Sequence, residues 1–354
     1  MPARQLVGMR CDKALSFGMI PFMTADMEIL VTGTSGFVGG AIGRFLRGRG
    51  HRVIGLSRRA PRLGSADVAI RHDLSRPLPD LPKVDAVIHA AALSAPWGHP
   101  AAFEAANVAG TRHALAIAAR TGARFILISS SSVLYAPGDQ EQLAEDPAPL
   151  TLPVNDYART KRAAEDLTRA YAGPWAILRP RAVYGVGDTV LFPRIARAAR
   201  LRLLPRFRQD RPARGDLVSI DTLVRQVARA LDREAEGTLH LIDPAPVTIA
   251  DFVQDVLARL DLPGPALTLG VQPALRMARA LEGLSRRTGW WEPPLTRFGV
   301  EVFTTTKTFD DSRTRTLLGP PDIPTELALA RFAHWWRDGA RLDDPAMGRV
   351  GDDP

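Results

Sequence analysis

The chain has 354 residues, 45% of them apolar, which is enough for one large or two ordinary domains around a sizeable core. No apolar run reaches the ~18 residues that cross a membrane as a helix. The formal charge of +8 is scattered, often beside Asp or Glu, and so reads as a solvated arginine-rich surface rather than a nucleic-acid patch. The single cysteine, Cys11, excludes a disulfide framework and a cysteine metal site and fits a reducing, cytoplasmic setting; no metal is expected.

Arg4, Arg10 and Lys13 before the mildly apolar Ala14–Ala25 imitate a secretion signal, but Pro21 and the short apolar length argue against one. Residues 1–26 are expected to be a poorly ordered extension. Met27 then opens the most informative stretch. Ile29-Leu30-Val31 reads as a buried parallel strand. Gly33, Gly36 and Gly39 follow at three-residue spacing, and Ala41–Arg47 reads as a helix. Glycine spacing alone is a weak signal. Placed between a strand and a helix, it describes a phosphate site, because backbone can approach a pyrophosphate and the helix start offers free N–H groups.

Further strands are expected at Arg52–Leu56, Val68–Arg71, Val84–His89, Phe125–Ser129 and Ala176–Leu178, with helices at Ala101–Arg120 and Tyr157–Ala172. Strands separated by helices imply parallel pairing and right-handed crossovers, hence an α/β, Rossmann-type doubly wound sheet with its site at the carboxyl ends of the strands. After Gly185 the rhythm changes. Helices are expected at Thr189–Leu203, Ile220–Leu231, Ile249–Leu260 and Thr325–Asp338, the last with Thr325 as its N-cap, and a strand at Thr238–Ile242 returns to the sheet. Pro263–Arg287 is read as a lid. The expected division is a cofactor domain over 27–185, a smaller substrate-binding cap over 186–340 with the returning strand inside it, and a tail over 341–354.

Tyr157 and Lys161 share one face of a helix. A phenol titrates near about 10, and a neighbouring ammonium lowers that value, so the pair can do proton transfer that a lone tyrosine cannot. Lysine stands only at Lys13, Lys83, Lys161 and Lys307 in a chain that otherwise uses arginine, so its retention here points to a need for a compact ammonium. The serine run Ser129–Ser132 ends the fifth strand, where a hydroxyl can hold a carbonyl oxygen. The second strand ends in Ser57-Arg58-Arg59 with no acid, which favours NADP(H), whose 2′-phosphate an arginine accepts, over NAD(H).

Together, Thr32–Gly39, His89–Ala92, Asn107–Thr111, the serine run, Tyr157–Lys161, Leu178-Arg179-Pro180 and Val183-Tyr184-Gly185 resemble the extended short-chain dehydrogenase/reductases, over about Met27 to Asp338. The resemblance implies Tyr157 as proton donor or acceptor and Lys161 as its pKa-lowering partner on the nicotinamide ribose. Ser131, four residues before Tyr135, would hold the substrate oxygen, with Ser130 and Ser132 as alternatives. It also implies cofactor contacts from Gly33, Ser35, Gly36, Phe37, Val38 and Ser129, from Ala90, Ala91 and Ala92, from Asp73 and Leu74 by the adenine, and from Pro180 and Val183 by the nicotinamide. Asn107 is expected to be structural. Ser94–Gly98, Gly185–Arg194 and Glu292–Gly299 leading to Phe309-Asp310 resemble the 3β-hydroxysteroid dehydrogenase-like branch, which acts on apolar alcohols and ketones such as sterols and β-keto acids. Trp97, Phe192, Trp290, Trp291 and Phe298 are candidates for an apolar pocket. The alternative is a nucleotide-sugar epimerase or dehydratase, whose diphosphate Arg194, Arg206, Arg208 and Arg214 would meet. A non-catalytic NADP-sensing protein is a third reading, against which the retained tyrosine and lysine count. The implied partner is a small molecule, with a homodimer through the Tyr157 helix as an allowed assembly.

Overall fold

The computed structural model describes residues 26–78, 80–146 and 152–339; the expected extension (Asp26 apart) and the expected tail lie outside the described residues. Seven strands form one parallel sheet: β1 Glu28–Thr32, β2 Arg52–Ser57, β3 Val68–Arg71, β4 Ala86–His89, β5 Arg124–Ile128, β6 Trp175–Pro180 and β7 Gly237–Leu241. Their order is β7-β6-β5-β4-β1-β2-β3. The chain walks outward from β1 to β3 and then returns to β4 on the other side of β1. That reversal is where a doubly wound sheet opens its ligand crevice.

The central strands are continuous apolar runs because both faces are covered. In β1, Ile29 and Val31 pack into the layer that holds Phe37, Ile42 and Leu46, while Leu30 packs into the opposite layer with Ile54, Val87 and Phe125. A separate core joins Phe192, Phe252 and Phe332 from the helices Phe192–Arg200, Ile249–Arg259 and Thr325–Gly339.

Several boundaries depart from the expected ones. The expected helix Ala101–Arg120 is a short α-turn at Pro100–Phe103, a π-helical turn at Glu104–Ala109 and an α-helix at Gly110–Thr121. The helix expected from Thr189 starts at Phe192, because the buried Asp188 carboxylate accepts the N–H groups of Val190, Leu191 and Phe192 at 2.7, 3.0 and 2.9 Å and caps it there. The lid expected at Pro263–Arg287 contains a strand, Leu267–Gly270, paired with Pro205–Arg208, followed by a helix, Val271–Arg287. Thr325 is the first helical residue rather than the cap. The carboxyl-terminal half also holds short strands that the sequence did not signal: Val247-Thr248, Arg214-Gly215 and Lys307–Phe309 join Gln140–Leu143 in a four-stranded sheet. Ladders of two or three residues are too short to show alternation.

Candidate active site

Gly33 leaves β1 with φ +79°, and a Cβ there would stand 2.9 Å from the Ala91 backbone, so no other residue fits. A Cβ at Gly39 would collide with the Gly33 carbonyl, which is why the helix Phe37–Gly48 can seat its first turn on the loop. Below, the Thr32 hydroxyl accepts from Ala91 N at 3.1 Å and bonds His89 Nδ1 at 2.8 Å, and His89 Nε2 meets the Thr111 hydroxyl at 3.2 Å. Burial pushes His89 down to about 3, so this brace is uncharged. Gly36 is extended and no side chain caps the helix it precedes. The leading N–H groups are thereby left for an anion, and the cradle fits a dinucleotide pyrophosphate.

Around the cradle, Ser35 and Val38 are half-buried and Phe37 is buried. Ala90 and Ala92 are half-buried beside Ala91. Arg58 and Arg59 are exposed at the end of β2. Asp73 takes Ser75 N at 3.0 Å, which holds its carboxyl below the usual range, while the Leu74 side chain packs into the core. Pro180 ends β6, and Val183 pairs with Val218 just beyond it. Sequence reasoning missed Arg62. It is 3% exposed, lies where side chains at Gly40 and Gly187 would stand, and donates to the Gly187 carbonyl at 3.0 Å. It clasps the loop after β2 to the loop after Val183, and no spacing signal in the chain marks it.

The helix Asp156–Arg169 is capped by Asn155, whose side chain accepts Ala158 N at 2.8 Å. This sets Tyr157 in the first turn and Lys161 one turn below. Lys161 is buried and donates to the Ile128 carbonyl at 2.6 Å; burial lowers it to about 8. Burial also pushes the Tyr157 phenol up, opposed by hydrogen bonds from Ser130 and Ser94. The expected lowering of Tyr157 by Lys161 is therefore not what this geometry produces: the lysine is directed at Ile128, and the hydroxyls are the groups that favour the phenolate.

The serines separate into different tasks. Ser130 has extended backbone (φ −157°, ψ 141°) and caps the 3₁₀ turn Ser131–Leu134. Its hydroxyl is one of two, with that of Ser94, that counter the upward push of burial on the Tyr157 phenol. Ser131, the residue expected there, opens that turn and its hydroxyl lies 3.4 Å from the Tyr135 hydroxyl. Ser132 bonds Ser130 at 2.9 Å. Ser129, expected on the cofactor, donates instead to Glu165 at 2.6 Å. Glu165, two turns further along the same helix as Tyr157, forms a buried pair with Arg179 at 2.6 Å; burial works against its charge, but Arg179 and Ser129 hold it below the usual carboxylate range. Asn107, presented by the π-turn, accepts Leu93 N at 2.7 Å and donates to the Thr160 hydroxyl at 3.0 Å. It ties the strand-end loop carrying Ser94 to the Tyr157 helix.

A cavity of about 440 Å³ is lined by Trp97, Phe103, Val154, Trp290 and Phe298, and by Asn155 and Asp156, the cap and first residue of the Tyr157 helix. Of the five expected pocket aromatics, Trp97, Trp290 and Phe298 line it; Phe192 is core, packed on Phe252 and Phe332, and Trp291 is exposed. Arg194, Arg206, Arg208 and Arg214 are not on its wall.

The doubly wound sheet, the glycine cradle at its switch point and the Tyr157–Lys161 helix define a dinucleotide-dependent enzyme class. The chain belongs to the NAD dependent epimerase/dehydratase family, whose model matches residues 29–241, and it is an NAD(P)-dependent enzyme of the extended short-chain type. The 2-alkyl-3-oxoalkanoate reductase of Stenotrophomonas maltophilia is 32% identical over 86% of this chain and 98% of its own length. The 3 beta-hydroxysteroid dehydrogenase/Delta 5-->4-isomerase of Mycobacterium tuberculosis is 27% identical over 85% of this chain and 88% of its own. Among solved structures, MoeE5 in complex with UDP-glucose and NAD superimposes with a TM-score of 0.66 at 25% identity, covering 88% of this chain and 99% of that one. Among the described residues, no helix is long and apolar enough to cross a membrane.

Proposed function

We propose that the chain is a dehydrogenase/reductase that interconverts a secondary alcohol and a ketone on a mainly apolar substrate, sterol-like or β-keto acyl, with NADP(H) preferred over NAD(H). The aromatic-lined cavity, which reaches the first residues of the Tyr157 helix at Asn155 and Asp156, carries this reading. The names of the two curated relatives, a 3-oxoalkanoate reductase and a hydroxysteroid dehydrogenase, support it.

The pyrophosphate would rest on Gly33, Ser35, Gly36, Phe37 and Val38, with Arg58 and Arg59 at the ribose phosphate. Asp73 and Leu74 would lie by the adenine. Ala90 to Ala92, Pro180 and Val183 would lie along the nicotinamide. The bound nicotinamide supplies or accepts the hydride. Tyr157 exchanges the proton with the substrate oxygen, while Ser130 and Ser94 share the phenol's proton and orient that oxygen. Lys161 keeps a buried positive charge one turn below. Ser131 acts at one remove, through Tyr135. The division into a cofactor domain over 27–185 and a cap over 186–340, a homodimer through the Tyr157 helix and a cytoplasmic location belong to the same reading. The nucleotide-sugar alternative is less well served, since Arg194 pairs with Glu292 at 3.3 Å and Arg206 bonds Gln254 at 3.3 Å, both away from the cavity.

The test is NADPH oxidation against a panel of long-chain β-keto acids, steroid ketones and UDP-sugars, with Tyr157→Phe beside the wild type. Turnover of an apolar ketone, reduced about 10²- to 10⁴-fold in the variant, is the expected result. Full turnover in the variant would overturn the mechanism, and reaction with UDP-sugars alone would overturn the substrate class.

A further inference from the structure

The cavity is apolar on its walls and charged on its rim, and most of the rim charges are already matched. Asp156 takes Arg159 Nε at 3.1 Å. Glu282 is 4% exposed and both its oxygens serve Arg297, one taking the backbone N–H at 2.7 Å and the other Nε at 2.8 Å. Glu301 is half-buried; burial pushes it towards its neutral form, and Lys307 and Arg297 face it. Arg286 differs. The nearest carboxylate to it among the described residues is Glu282 at 4.0 Å, the edge of ion-pair contact, and that carboxylate is occupied. Two guanidinium groups thus share one carboxylate, and among the described residues Arg286 has no ion pair closer than 4.0 Å.

Arg286 is also held in place. Its guanidinium lies over the Trp97 ring at 5.0 Å from the centroid. The Trp97 indole donates to the hydroxyl of Ser285 at 2.9 Å, so the platform is anchored by the residue next to Arg286 itself. Trp290 packs against the same indole at a tilt, with ring centroids 5.8 Å apart. A guanidinium stacked on an aromatic face keeps its edge N–H donors available, and their fork matches a carboxylate.

We propose that Arg286 is a carboxylate-binding residue of this cavity, so that the preferred substrates are apolar oxo or hydroxy acids rather than neutral sterols. The proposal rests on the reading of the cavity as the substrate site. The aromatic wall takes the hydrocarbon, and the Arg286 fork takes the acid group at the rim.

Dodecanoate and its methyl ester are unreactive probes that differ in the charge and one methyl group. Their binding to the NADPH-loaded full chain is read by calorimetry and by quenching of tryptophan fluorescence, in wild type, Arg286→Met, Arg286→Lys and the exposed neighbour variant Arg287→Met. The wild type and Arg287→Met are expected to bind the acid about tenfold more tightly than the ester, the scale of one charge-assisted pair. Arg286→Met should lose that preference, with ester binding unchanged, and Arg286→Lys should keep part of it. In turnover, Arg286→Met should raise KM for a long-chain 3-oxo acid with kcat little altered. An acid preference that survives in Arg286→Met overturns the carboxylate subsite alone. Failure of both probes to bind the wild type overturns the cavity reading beneath it.

Discussion

The two sides of the cleft are built from different materials. The cofactor side is made of backbone: Gly33 lies against Ala91, Gly39 against Gly33, and Thr32 and His89 brace them from below with neutral hydrogen bonds. The side proposed for the substrate is made of side chains: an indole over which a guanidinium lies, a buried glutamate with an arginine, and aromatic rings. Backbone contacts tolerate almost no substitution. Side-chain walls can be exchanged with the fold intact, which lets one scaffold serve many substrates.

The hardest break in that comparison is Gly33→Val. The new side chain would meet the Ala91 backbone from a left-handed φ, so cofactor binding should be abolished and stability should fall by about 1–3 kcal/mol, read by NADPH titration and denaturant unfolding. Trp290→Ala on the other side should leave NADPH affinity unchanged; equal loss in both variants would erase the distinction. Next comes Arg58→Glu, which should weaken NADPH far more than NADH in the same titration. Parallel losses would remove Arg58 from cofactor choice. The smallest effect concerns pH. Lys161 lies at about 8 in the fold against 10.5 for the ordinary side chain, so between those values the unfolded chain holds the extra proton and stability rises with pH. Lys161→Met should flatten that rise in denaturant unfolding, while Lys307, also lowered to about 8, keeps its share. An unchanged slope would mean that Lys161 is not desolvated as its burial indicates.

Much of the architecture was legible because its signals are local. The run Ile29-Leu30-Val31, the three glycines and the four-residue step from Tyr157 to Lys161 each lie within a few residues, and parallel pairing follows from the alternation. The π-turn that presents Asn107 was not legible, since an inserted turn leaves the helical apolar pattern nearly intact. The short strands that tie residues 140–143 to 307–309 were hidden for want of length.

The sequence by itself determined that a strand, a glycine turn and a helix would bind a dinucleotide phosphate, and that a tyrosine and a lysine would share a helix face beside it. Only the tertiary structure gave the serines separate partners, Ser129 at Glu165, Ser130 at Ser132 and Ser131 at Tyr135, because a 3₁₀ turn follows the strand there. Only it brought Trp97 and Arg286, 189 positions apart, into one wall, and set Arg62 across to Gly187. Hydrophobic period and glycine spacing are properties of neighbours along the chain. A cavity is made by residues that become neighbours only when the core has formed.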